Sequence, residues 1–199
     1  MSRQAAAAIL AGGRARRFGG RNKALVDVGG EPMIARQIRA LAGIVDSIMV
    51  VANDPAPFCR YPVQVVPDRH PGAGPLAGLD AALAATCAPR MLALACDMPD
   101  VSRPVLELLL AHARRADLVI PADAGWVQPL CAVYGARMAP VIAARLEAGQ
   151  LRAVELPEAA ERAGLLVVRV GAAELTKIDP DLRSFANLNA PGDRARRGR

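Results

Sequence analysis

The sequence predicts a single domain of three layers, α/β/α, around a mostly parallel central sheet. Three observations carry this. Apolar runs of four to six residues alternate with longer helical patterns, which is the signature of βαβ units. The first run, 5–10, breaks directly into a glycine-rich basic loop, and three later runs end in Asn or Asp. Finally, a chain of 199 residues, 53% of them hydrophobic, has the length of one domain and can bury a core without staples.

Taken in order, 5–10 reads as a buried strand. Residues 26–32 make a turn, and Pro32 starts a helix over 33–42 with Met33, Ile34, Ile38 and Leu41 along one side. Residues 47–52 form the next strand and 63–66 a short third one. A helix over 76–86 leads to 91–96, the central buried strand. Pro104 stands in the first turn of a helix running to about Arg115, with Ser102 as its cap. Two strands, 118–120 and 130–134, flank a loop carrying Trp126. Residues 137–148 are helical, 151–162 are helical in part and interrupted at Pro157, and 165–170 is a late strand. No repeat or linker divides the chain. The domain spans 1–193, and the arginine-rich segment 194–199 reads as a frayed, disordered tail.

Composition narrows the function classes. No apolar run approaches the ~20 residues of a membrane span, and the run after Gln4 is too short for a secretory leader, so the expected address is the cytoplasm. Cys59, Cys87, Cys96 and Cys131 are widely spaced and form no zinc pattern with His70 and His112. They read as small buried hydrophobes. The net charge of +6 fits anionic ligands. Nucleic acid is not expected, because aromatic residues make up only 3% and stacking platforms are scarce.

The loop at 10–23, Leu-Ala-Gly-Gly-Arg-Ala-Arg-Arg-Phe-Gly-Gly-Arg-Asn-Lys, holds four glycines, four arginines and one lysine. Glycine admits a ligand close to the backbone, free N–H groups make an anion-binding concavity, and the cations add charge for phosphate oxygens. A nucleoside triphosphate site and a surface turn decorated with arginine are both open on the loop alone. Lysine usage favours the site. The chain has only two lysines, Lys23 and Lys177, among 25 basic residues, so Lys23 stands out as a compact point charge on a flexible stem. The spacing fits neither G-x-G-x-x-G nor G-x-x-x-x-G-K-[ST].

In an open parallel sheet, ligands sit outside the carboxyl ends of the strands. That rule puts the glycine loop, Asn53-Asp54, Asp68 and Asp97 on one edge. Asp97 directly follows the central strand. A carboxylate there fits Mg²⁺, which takes one or two carboxylates plus phosphate oxygens, although a turn role is also open. Asn53 reads as a base- or ribose-edge contact or a turn cap. Asp68 accepts from a base amino group or holds the loop after it. That loop, 71–78 with Gly72, Gly74 and Gly78, reads as a close approach of backbone to ligand at a helix N-terminus, or as a plain turn.

The stretch 10–23 resembles the L-A-G-G-x-S-x-R-M-G-x-D-K signature of molybdenum cofactor guanylyltransferases, nucleotidyltransferases of Rossmann-like fold. The likeness extends from Leu10 to about Asp193 through Val50-Val51-Ala52-Asn53, Asp68 with Gly74-Pro75-Leu76-Ala77-Gly78, Cys96-Asp97-Met98-Pro99, Gln128-Pro129-Leu130 with Val133-Tyr134, and Phe185-Ala186-Asn187-Leu188-Asn189-Ala190-Pro191. The chain departs from the signature at Ala15, Phe18 and Asn22. Phe18 is nearer the cytidylyltransferase cousins, whereas Ala11-Gly12-Gly13 and Asp97-Met98-Pro99 favour guanine over cytosine.

The resemblance implies transfer of GMP from GTP to the terminal phosphate of molybdopterin, with release of pyrophosphate. It implies Leu10, Ala11, Gly12, Lys23, Asn53, Asp68 and Asp97 as nucleotide contacts and Asp97 as the ligand of Mg²⁺; the glycine loops add Gly13 and Gly78 to the expected contacts. Arg17, Lys23 and Asp97 are the catalytic set, neutralising charge on the leaving pyrophosphate. Expected partners are GTP, Mo-bound molybdopterin and a molybdoenzyme or chaperone that receives the product; a monomer is expected. Trp126 and Gln128 are loop candidates for the pterin. The alternatives are a molybdenum cofactor cytidylyltransferase, another small-phosphate nucleotidyltransferase, and a non-catalytic carrier of the cofactor.

Overall fold

The structure, a computed structural model, describes residues 5–12, 22–70 and 72–188. Gly13, Arg17, Phe18 and the tail 194–199 therefore lie outside the described residues. The first strand, β1 (Ala5–Leu10), is buried along its whole length. Its neighbours are β4 (Ser47–Val51) and β6 (Arg90–Ala95), both parallel to it, and β5 (Gln64–Val66) is parallel to β4. Beyond β6 lie β9 (Cys131–Gly135), β7 (Leu118–Asp123) and β10 (Val167–Val170), giving the order β10-β7-β9-β6-β1-β4-β5. Only β9 among these runs antiparallel to its neighbours. The mostly parallel sheet expected from sequence is present, with β6 and β1 at its centre.

Side-chain alternation along β1 builds the three layers. Ala5, Ala7 and Ile9 share a core with Ile34 and Leu41 of α1 (Met33–Leu41) and with Val105, Leu106 and Leu109 of α3 (Arg103–His112). Ala6, Ala8 and Leu10 point the other way. They pack with Leu76 and Leu79 of α2 (Pro75–Ala85), Met138 and Ile142 of α4 (Met138–Glu147), and Leu156 and Ala160 of α5 (Leu156–Arg162). The helices thus split between the two faces of the sheet.

Several local expectations are corrected. Residues 26–32 are more than a turn: Asp27–Val28 (β2) and Glu31–Pro32 (β3) pair as a small hairpin closed by Gly29 and Gly30, both at positive φ. Pro157 does not interrupt a helix but stands in the first turn of α5, where its missing N–H costs nothing. Ser102 occupies the cap position of α3 without capping through its side chain. Its hydroxyl accepts instead from the Ser184 hydroxyl at 3.1 Å, and its N–H donates to Ser184 Oγ at 3.0 Å. Helix α3 ends at His112, short of Arg115. Cys96 and Cys131 are buried as expected, but Cys59 and Cys87 are exposed. Trp126 lies in a short strand, β8 (Trp126–Val127), on β7, and it meets Phe185 edge-on at 5.3 Å. The four-residue helix α6 (Ala172–Leu175) has too few periodic positions to be read from sequence.

One glycine is fixed by crowding. A Cβ on Gly135, in β9, would stand 3.1 Å from the Asp117 carbonyl oxygen and 3.4 Å from its Cα. Both are backbone atoms and yield only if the strand ends separate. Gly135→Ala is expected to destabilise the fold by about 1–3 kcal/mol, read as a lower midpoint in thermal and urea unfolding. An unchanged midpoint would show that the strand ends shift freely.

Candidate active site at the carboxyl edge of the sheet

Parallel pairing brings the carboxyl ends of β5, β4, β1 and β6 to one edge, as the sequence predicted. The end of β1 is clamped on both sides. Leu10 offers its carbonyl to the Cys96 N–H at 3.2 Å, and the Ala11 N–H donates to the Val51 carbonyl at 3.0 Å. Gly12 follows, exposed, at the mouth of the glycine loop.

Lys23 returns from that loop in a short 3-10 turn, Lys23–Leu25. Asn22 caps the turn, its side-chain oxygen accepting from the Ala24 N–H at 3.0 Å. Asn and Asp cap about equally well. The departure from the signature at Asn22 therefore keeps the cap while removing a negative charge beside Lys23. The turn anchors through buried Ala24 and aims Lys23 at the end of β6. There Lys23 Nζ meets Asp97 Oδ2 at 2.7 Å, with side-chain exposures of 22% and 18%. Two residues 74 positions apart, both picked out from sequence, are in direct contact.

The second oxygen of that carboxylate, Oδ1, is buried and has no hydrogen-bond partner among the described residues. A buried carboxylate oxygen without a donor is costly. One open, hard oxygen at the carboxyl edge of the sheet suits a divalent cation, which also takes phosphate oxygens and water. Among the described residues there is no cluster of three or more His, Cys, Asp or Glu side chains. A metal here would therefore rely on Asp97 and the nucleotide rather than on a protein cage.

The neighbouring strand ends form a second cluster. Asn53, after β4, accepts the Asp68 N–H through Oδ1 at 2.9 Å, and Asp68, after β5, accepts the His70 N–H at 2.8 Å. Both side chains thus brace the edge while remaining accessible, Asn53 exposed and Asp68 half-buried. The loop after Asp68 enters α2 through Gly74, at φ 69°, and no side chain caps that helix. Gly78 lies within the first turn of α2. A Cβ there would come 3.3 Å from the Leu10 side chain, so its small size lets α2 sit close on β1.

Burial, then the adjacent Asp97 charge, pushes the Cys96 thiol up to about 12. It stays neutral, and thiolate chemistry is not available beside Asp97.

One residue of this region escaped the sequence reading. Gln37, on α1, is fully buried, while Ile38, expected on that face, is only half-buried. The Gln37 amide donates to the Ala95 carbonyl at 2.7 Å and to the Met98 carbonyl at 3.1 Å, spanning Asp97. The signal was its position four residues from both Met33 and Leu41, on the helix stripe that faces the core.

A mostly parallel sheet between two layers of helices, with a cation–carboxylate pair at its carboxyl edge and a glycine-rich sequence leading from β1 to Lys23, defines a nucleotidyltransferase. The pattern of the MobA-like NTP transferase domain matches residues 7–161, and the chain belongs to that family. It is 32% identical to the molybdenum cofactor guanylyltransferase of Desulfosudis oleivorans over 182 residues, covering 91% of this chain and 88% of that one. It is 38% identical to the enzyme of the same name from Shewanella frigidimarina over 154 residues, 75% of this chain and 79% of that one. Among solved structures, molybdopterin-guanine dinucleotide biosynthesis protein A from Archaeoglobus fulgidus superposes with a TM-score of 0.77 at 29% identity, covering 96% and 95% of the two chains. Among the described residues no helix is long and apolar enough to cross a membrane.

Proposed function

We propose that the chain transfers GMP from GTP to the terminal phosphate of molybdopterin. A phosphate oxygen of the acceptor forms a bond to the α-phosphorus of GTP. The bond from that phosphorus to the oxygen bridging the β-phosphate breaks, and the electron pair leaves with pyrophosphate. The attacking oxygen is already anionic, so no general base is required. Catalysis is then positioning and neutralisation of charge. The observation that carries this reading is the 2.7 Å Lys23–Asp97 pair at the carboxyl edge, in a chain whose relatives bear the guanylyltransferase name.

Leu10, Ala11 and Gly12 bring backbone to the phosphates, joined by Gly13 and Arg17 of the glycine loop. Lys23 supplies a mobile point charge for the phosphate oxygens. Asn53 and Asp68 face the nucleoside, and the uncapped first turn of α2 ends in the same region. Asp97 is the protein ligand for Mg²⁺, which when bound supplies charge neutralisation at the phosphates. Trp126 and Gln128 remain candidates for the pterin.

Guanine is the base this edge favours. Its ring N–H and amino group are adjacent donors that one carboxylate accepts together, and Asp68 stands at a strand end suited to that. Cytosine and adenine lack that donor pair. GTP is therefore expected to bind at least about fivefold tighter than CTP or ATP, the lower end of what a paired base contact provides. Calorimetry with the three nucleotides, followed by a pyrophosphate-release assay with molybdopterin, tests both parts. Equal or tighter binding of CTP would overturn the guanine assignment. Tight GTP binding without pyrophosphate release would mean a carrier.

A further inference from the structure

We infer that Gln37 is a positioning residue for Asp97, an inference that rests on the reading of Asp97 as the metal-binding carboxylate. The side chain belongs to α1, two residues short of the exposed Arg39, yet it is 0% exposed. Its one amide group uses both hydrogens on backbone carbonyls, Ala95 at 2.7 Å and Met98 at 3.1 Å. These carbonyls stand two residues before Asp97 and one residue after it. The grip therefore spans the site where the chain leaves β6 and turns.

Other groups hold the same turn. The Asp97 carbonyl accepts from the Leu188 N–H at 2.8 Å, and Arg36 Nε donates to the Pro99 carbonyl at 3.0 Å. Gln37 is the buried polar side chain of this set. It stands at a helix position where the pattern of Met33, Ile34 and Leu41 would otherwise place an apolar side chain.

The arrangement has a cost that packing alone does not explain. Gln37 Oε1 is buried without a partner among the described residues, as is Asp97 Oδ1. Leaving a buried acceptor unpaired forfeits the hydrogen bonds that it would make to water. An apolar residue at position 37 would remove the first cost, but it would also leave the two carbonyls without their donor. The amide thus fixes the direction of Asp97 at the expense of its own oxygen. Groups that orient a metal-binding side chain through its supports typically matter by about 10–100-fold in metal affinity or activity.

The test compares Gln37→Met, which keeps length and removes both donors, with Gln37→Leu, which removes both donors with a more compact apolar side chain should the first fail to fold. Three quantities are read on each: metal-free GTP affinity, Mn²⁺ affinity of the enzyme–GTP complex by electron paramagnetic resonance, and the kcat and KM of transfer. The expected result is unchanged metal-free GTP affinity, Mn²⁺ affinity weakened about 10–100-fold, and a fall in kcat with little change in KM. Wild-type Mn²⁺ affinity and kcat in a folded variant, whatever its melting temperature, would overturn the inference and leave Gln37 a packing residue. Asp97→Asn is measured alongside. If it retains Mn²⁺ affinity, the metal reading of Asp97 fails; if it loses affinity while the Gln37 variants keep theirs, only the positioning role fails.

Discussion

Asp97→Asn is expected to lower single-turnover GMP transfer by about 10²–10³, the usual loss on removing one preorganised electrostatic partner. The substitution keeps the shape of the side chain and deletes its charge. Two consequences follow from the pair with Lys23. With the carboxylate gone, Lys23 no longer faces an anion at 2.7 Å, and its charge becomes more available to phosphate. Metal-free GTP binding should therefore hold or tighten, while the gain in affinity on adding Mg²⁺ should vanish. The fold should survive. The pair is partly exposed, and pairs of that kind contribute about 1 kcal/mol or less, a shift of a few degrees in melting temperature for a domain of this size. Near-wild-type transfer would remove Asp97 from the metal role, and unfolding of the variant would make it a structural residue.

How far the sequence revealed this site depended on how local each signal was. The strands leading to Leu10, Asn53, Asp68 and Asp97 were legible because each is a short apolar run closed by a polar or glycine residue. The common-edge rule for parallel sheets then needed no structure. Lys23 was legible through composition, as one of two lysines in a chain that otherwise uses arginine. The contact between Lys23 and Asp97 was not legible. It depends on the path of the chain between positions 10 and 23 and on the cap made by Asn22, and pairing across 74 residues leaves no local pattern. Gln37 escaped for a related reason. A polar residue on an apolar stripe looks like a stripe boundary until its carbonyl partners are known. Gly78 read in sequence as part of a loop that either approaches a ligand or makes a plain turn; the structure puts it inside α2, where its contact with Leu10 adds a packing reason that the sequence did not show. Ser102 kept its position at the start of α3 but not its bond, since Ser184, 82 residues away, takes the hydroxyl.

Lys23→Arg should abolish most transfer although it preserves charge, and the geometry at Asp97 says why. Lysine binds Asp97 through a single ammonium on Oδ2 and leaves Oδ1 without a partner among the described residues. A guanidinium is a planar fork whose paired N–H groups match both oxygens of a carboxylate. In place of Lys23 it would take Oδ1 as well as Oδ2 and fill the oxygen that a metal needs. It would also exchange less readily between Asp97 and the phosphates than a compact ammonium on a flexible stem. The expected result is a loss of about 10²–10³ in single-turnover transfer, a melting temperature equal to or above the wild type, and weakened Mn²⁺ binding in the GTP complex. Lys23→Ala should lose transfer too, but with Mn²⁺ binding retained, because Asp97 is then unblocked. Lys177→Arg, at an exposed position, serves as the control and should change nothing. Transfer by Lys23→Arg within roughly tenfold of the wild type would show that position 23 requires only a positive charge. The near-exclusive use of arginine elsewhere in the chain would then say nothing about this site.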